Sequence, residues 1–108
     1  MSVIISDHTI TTANVTQKLL GGLKTAVASR APAALFAVQN RDAVASIYVK
    51  AGTANSTADN TTDSIIVLAG EYKILGPLSN GFNVYNLDDI YVFSTTAAHA
   101  YSVERVIA

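Results

Sequence analysis

His8 and His99 are the only imidazoles of this chain, and they sit near its opposite ends. Nucleophilic catalysis needs a hydroxyl or thiol beside a base that a third group orients, and zinc needs three or four ligands. Neither histidine belongs to such a motif, and without cysteine a zinc site would have to recruit carboxylates at no recognisable spacing. Asp59, Asn60 and Asp63 offer oxygen ligands of the type calcium takes. Their run lacks the spaced acidic pattern and closing glutamate of a calcium loop. Asp88-Asp89 is the only adjacent carboxylate pair. Neighbours on a strand point to opposite faces, so the pair reads as a polar turn opening a strand, not as an acid–base couple. Gly21-Gly22 makes no phosphate cradle. Tyr48, Tyr72, Tyr85, Tyr91 and Tyr101 could stack on sugars, but spread along the chain they read as residues edging a core. These residues lead us to expect no enzyme, no cofactor, no metal and no small-molecule substrate.

The composition bounds what else the chain does. At 108 residues it has the size of one domain, and the whole of 1–108 reads as a single β unit. Half of the residues are hydrophobic, but many are Ala or Val and there is no Trp, so the core has few large anchors beyond Phe36, Phe82, Phe93 and the tyrosines. Seven basic and eight acidic residues give a formal net charge of −1 without runs of either sign. Phosphate backbones are bound by clustered Lys and Arg, so no nucleic-acid partner is expected. The apolar runs fall far short of the ~20 residues that cross a bilayer as a helix, so no membrane partner is expected either. Absent cysteines and an N-terminal stretch without a basic start or long apolar run lead to the expectation of folding in a reducing cytoplasm. Asn14, Asn55 and Asn60 each open a glycosylation-type tripeptide; in a chain rich in Thr and Asn these read as chance.

The elements that position these residues read as strands. Val3–Ile5 and Thr9–Thr12 are β-branched stretches, and residues 1–12 could form an extended N-terminal arm. Asn14 could cap a short helix over Val15–Leu20 that Gly21-Gly22 would stop, and Pro32 argues against a helix running from Ala31 into Leu35. Strands are expected over Leu35–Asn40, Ser46–Lys50, Ser64–Ala69, Glu71–Leu75, Phe82–Asn86 and Ile90–Ser94, with a last one closing the chain. The nearly all-apolar Ser64–Ala69 predicts a strand covered on both sides. Gly70 and Pro77–Gly81 are turns, the latter closing on the hairpin pair Asn80-Gly81. The alternation slips at Arg105-Val106, which predicts a bulge or an end exposed on both faces. Eight or nine strands at this spacing give an all-β fold: a single β-sandwich, jelly-roll-like or immunoglobulin-like, with at most one short helix near the N-terminus.

Residues 53–63 hold no hydrophobic side chain larger than Ala, so they cannot feed a core and form a long polar loop. The loop is either a solvated connection or a contact surface, and in the second case Asn55, Thr57, Asp59 and Asn60 are the candidate contacts. Val3, Ile4 and Ile5 are the other candidates, either as a strand added to a neighbour's sheet edge or as the first strand of their own domain.

The order Phe36-Ala37-Val38-Gln39-Asn40, Ile47-Tyr48-Val49, Leu68-Ala69-Gly70-Glu71, Leu87-Asp88-Asp89-Ile90-Tyr91 and Val103-Glu104-Arg105-Val106 resembles small bacteriophage virion proteins of the capsid decoration or cement type. The chain departs from them in the Ala-rich stretch from Ala26 to Ala34 and in the longer polar loop. The resemblance implies a β-sandwich acting as a non-enzymatic structural protein of the particle. It would fold in the host cytoplasm and then bridge neighbouring subunits of the major capsid protein, as a homotrimer by analogy with the threefold sites of icosahedral shells. A tail, neck or fibre-base subunit is the alternative within the particle. A carbohydrate-binding module is the alternative outside it, and predicts a tyrosine-lined surface.

Overall fold

The computed structural model describes residues 2–26, 35–52, 58–75 and 87–107. Eight strands lie among them: β1 (Ser2–Ile10), β2 (Gln17–Lys18), β3 (Leu35–Asn40), β4 (Ile47–Ala51), β5 (Ile65–Val67), β6 (Tyr72–Ile74), β7 (Ile90–Phe93) and β8 (His99–Ile107). They form two four-stranded antiparallel sheets, ordered β1-β8-β3-β6 and β2-β7-β4-β5. The fold is an all-β sandwich. It follows from period-two patterning, because alternate residues of each strand turn to one face and can be buried together. The first sheet turns Ile10, Phe36, Val38, Tyr101 and Val103 inward; the second turns Ile47, Val49, Val67, Ile90 and Val92 to meet them. Leu19, Leu75 and Leu87 close the core from the connections. Each such side chain contributes roughly 1.5–3 kcal/mol on burial, against the chain entropy that folding removes.

The expected strands from Leu35 onward reappear within a residue or two wherever they fall in the described parts, β3 with both ends unchanged. The helix does not. Among the described residues there is no α-helix; Asn14 takes a left-handed backbone (φ 63°) in a turn, and Gln17–Lys18 pairs with β7. The one short helical element described is a 3₁₀ turn, Leu87–Asp89, which leads directly into β7. The slip at Arg105-Val106 is not a bulge, since β8 keeps one register with β1 from Ile10↔His99 to Ser2↔Ile107 and with β3 from Asn40↔Tyr101 to Leu35↔Val106. That end of β8 is half-buried. β5 is also not covered on both sides. It is an edge strand of the second sheet, as β2 is, and leaves Ile66 45 % exposed, so the apolar run does not mark a central strand.

The turn at Gly70 has a positive φ of 72°, where any Cβ is strained even though open space surrounds it. Gly70 N–H donates to Asp42 O, tying this turn to the β3–β4 connection. The expected strand Phe82–Asn86, the turn Pro77–Gly81, the break at Pro32, Tyr85, and residues Asn55 and Thr57 of the polar loop lie outside the described residues.

Candidate functional site

Of the two roles open to Val3, Ile4 and Ile5, the structure shows the second: they belong to β1, paired along its full length with β8. Register then decides what stands beside them. Across the first sheet, Ile5, Glu104, Ala37 and Ile74 form one row, and Asp7, Ser102, Gln39 and Tyr72 the next. Val3, Val106 and Leu35 form the row on the other side. Residues directly opposite on antiparallel strands share a face, and this face points away from the core. Ile5 is 66 % exposed, Val3 59 %, Ile74 49 % and Tyr72 48 %. Ala37 is buried there, overtopped by the longer Glu104 and Ile74 of its own row. Isolated exposed apolar residues are ordinary, but several on one sheet face make a contiguous patch, the usual mark of a binding surface.

Polar groups on the two middle strands stand between these apolar edges, and each has a partner. Tyr72 Oη donates to Glu104 Oε1 at 2.7 Å, and this bond to the carboxylate pushes the phenol above its ordinary pKa. Ser102 Oγ donates to Asp7 Oδ1 at 2.6 Å and accepts from Arg41 Nη1 at 3.4 Å. Gln39 Nε2 donates to Gly70 O at 2.8 Å. Ile5, Gln39, Arg41, Tyr72, Ser102 and Glu104 line a shallow depression on this face. The face therefore carries apolar side chains at both edges, joined through the half-buried Val106 and Leu35, around a middle whose polar groups are satisfied, a mixture that suits a protein-binding surface.

The described part of the polar loop does a different job. Asp59 Oδ1 accepts from Thr16 N at 2.8 Å and from Lys24 Nζ at 3.2 Å; the Thr16 bond is the larger cause holding this carboxyl below its ordinary pKa. Lys50 Nζ donates to Ala58 O at 2.8 Å and to Asn60 Oδ1 at 2.7 Å. Lys50 projects from β4 beside Tyr91 and, beyond it, Lys18 on the outward face of the second sheet, and all three are buried. Burial lowers the pKa of Lys50. Lys18 Nζ meets Asp88 Oδ2 at 2.7 Å, so the carboxylate that opens the 3₁₀ turn neutralises a buried ammonium. Asp59 and Asn60 therefore strap the loop across the second sheet and remain exposed at its surface. They share no face with Val3 and Ile5.

The histidines are held by hydroxyls. Ser6 Oγ lies 2.7 Å from His8 Nε2. Ser94 Oγ lies 2.8 Å from His99 Nδ1, and Asn40 Oδ1 2.7 Å from His99 Nε2. The order Ser94–His99–Asn40 has the connectivity of a nucleophile, base and orienting group. All three have no exposure, so no substrate carbonyl can approach Ser94, and the trio serves instead to join the end of β7 to β8 and β3. This network escaped sequence reading because its members are far apart in the chain; only the alternation placing His99 in phase with Tyr101 and Val103 signalled an inward imidazole. Among the described residues no three His, Asp or Glu side chains converge as a metal site would require. Of the described tyrosines, Tyr91 and Tyr101 are buried, Tyr48 is half-buried and only Tyr72 is exposed, so they do not line a shared surface. Comparison with protein-family models, curated proteins and solved structures gives no match.

Proposed function

We propose that this chain is a non-enzymatic structural protein of a bacteriophage particle, which decorates the capsid by laying the outward face of its first sheet across neighbouring capsid subunits. The observation that carries the reading is the set of Val3, Ile5, Ile74 and Tyr72, exposed at the two edges of one regular sheet face with satisfied polar groups between them. A rigid sheet face loses little conformational entropy on docking, which favours a part that works by shape alone. The resemblance of its strings to those of small virion sandwiches is what suggests the particle; the apolar face supports the means of attachment. Partners of this kind need only modest interfaces, because each copy is held by several neighbours and a standard contact buries ~800 Å² a side.

Quantitative mass spectrometry of purified particles tests the reading. Hundreds of copies per particle are expected of a decoration protein, a few to dozens of a tail, neck or fibre-base subunit, and none if the chain is not a virion protein. In a rebinding assay on particles stripped of the chain, Ile74→Lys should abolish attachment, since it places a charge among the exposed apolar residues of that face without touching the core.

A further inference from the structure

Among the described residues no strand pairs with the outer edge of β1, and the first half of that strand is nearly its own mirror. Ala100 O accepts from Arg41 N, so the backbone of Ala100 turns toward β3 and away from Thr9, its opposite number on β1. Thr9 therefore turns its N–H and C=O away from β8. The side chain of Gln17 confirms this by bonding Thr9 O at 3.1 Å and Thr11 N at 3.4 Å, in the manner of a neighbouring strand. Backbone direction alternates along a strand, so Val3, Ile5 and Asp7 present their amides to the same side. There, among the described residues, nothing pairs with them. Proteins guard such edges with lysine, proline, bulges or short strands. β1 runs for nine residues without any of these, and its only charged residue is Asp7.

We infer that a second copy of this chain covers this edge, pairing β1 with β1 antiparallel about a twofold axis at Ile4. Ser2-Val3-Ile4-Ile5-Ser6 reads almost the same in both directions about its centre. Antiparallel pairing with itself sets Ser2 opposite Ser6, Val3 opposite Ile5 and Ile4 opposite Ile4, with all outward-facing amides of Val3 and Ile5 bonded. A closed twofold contact sets one patch against itself, and a near-palindromic strand meets that condition with like residues opposite each other, whereas an unrelated peptide has no need of it. Sliding the axis to Ser6 would set Ile5 against Asp7 and Val3 against Thr9, whose carbonyl Gln17 already occupies. The pairing makes one eight-stranded sheet and joins two apolar faces edge to edge. It stands independently of the virion reading and departs from the threefold arrangement that the resemblance implies.

Sedimentation equilibrium of the whole chain, up to ~1 mM, should show a monomer–dimer equilibrium in the range accessible to edge pairing. Ile5→Lys and Ile5→Pro should both be monomeric with unchanged circular dichroism, the first by charge and the second because the lost N–H faces the open edge and not β8. Ile74→Lys, in the same row but on the far strand β6, should dimerise as the parent does. Hydrogen exchange at Val3 and Ile5 should slow about tenfold or more with rising concentration, while Ile4, Ser6 and His8 stay protected throughout. A monomer at every concentration, a trimer, a dimer that survives both Ile5 variants, or one lost in Ile74→Lys, as stacking of the faces predicts, overturns the inference. Particle copy number bears on the virion reading alone, so the two can fail separately.

Discussion

Asn40 Oδ1 accepts a 2.7 Å hydrogen bond from His99 Nε2, and this contact fixes which ring nitrogen carries the proton of the neutral imidazole. Asn40 Nδ2 is committed to Ala45 O at 2.9 Å and Val67 O at 3.1 Å, so its oxygen must face the ring. The ring proton therefore sits on Nε2, and Nδ1 accepts from Ser94 Oγ, which itself accepts from Thr96 N. A second proton on His99 would make Nδ1 a donor, and the Ser94 hydroxyl would lose the acceptor for its own proton.

Acid should therefore loosen the fold through its histidines. Burial lowers the pKa of His99 against the opposing pull of Asp42, and lowers that of His8 against Asp7. The unfolded chain takes up these protons near pH 6.5, the folded chain only at lower pH, so the unfolded state binds more protons in between. Stability is complete above pH 6.5 and falls as pH drops below it. Urea unfolding at pH 7.5 and pH 5.5 checks this: the midpoint should fall in the parent, and His99→Gln, which has no proton to gain, should flatten much of that dependence. A midpoint independent of pH across this window contradicts the assignment.

The sandwich was legible in the sequence because it depends on local alternation: Phe36 and Val38, Ile47 and Val49, and Tyr101 and Val103 announce their own inward faces. The site was legible only in part. Val3 and Ile5 stand out as apolar residues, but their patch exists only because β1 pairs with β8 and β8 with β3, which brings in Ile74 and Tyr72 from a strand far along the chain. The helix expected after Asn14 failed for a physical reason. Val15–Leu20 has helix-compatible residues, but Leu19 is needed in the core, and Gln17 and Lys18 are drawn into pairing with β7, so tertiary burial overrides a weak local propensity.

Tyr101 anchors the β2 side of the core. Its hydroxyl donates to Leu19 O at 2.6 Å, and burial raises the phenol pKa well beyond its ordinary value, so it stays a donor throughout the working pH range. Tyr101→Phe keeps the ring and its contact with His8 but leaves a buried carbonyl without its donor. The loss should be about 1–3 kcal/mol in denaturant unfolding, against near neutrality for a phenol that merely filled space.

Lys18 and Asp88 should behave as a unit. Their Nζ and Oδ2 atoms lie 2.7 Å apart, with both side chains below a tenth exposed, so removing Asp88 leaves the Lys18 ammonium without its carboxylate away from water. Asp88→Ala should cost roughly 3–5 kcal/mol, while Lys18→Met combined with Asp88→Leu should recover most of that loss, because it also removes the desolvation cost. A double-mutant cycle on unfolding free energies measures this coupling; additive losses would show that the two charges do not depend on each other.

The strap over the second sheet makes the last prediction. Asp59 caps Thr16 N and Lys50 grips Ala58 O and Asn60 Oδ1, so the sheet's buried outward row depends on a loop with no apolar anchor among its described residues. Asp59→Ala should cost about 1 kcal/mol, the usual loss for a carboxylate that caps a backbone amide. The larger effect should be local: amides of residues 58–63 exchange faster, while those of β3 and β8 hold their protection, because the first sheet's core does not touch the strap. Equal acceleration in both sheets would mean that the strap supports the whole sandwich. An unchanged pattern would mean that Lys50 alone holds it.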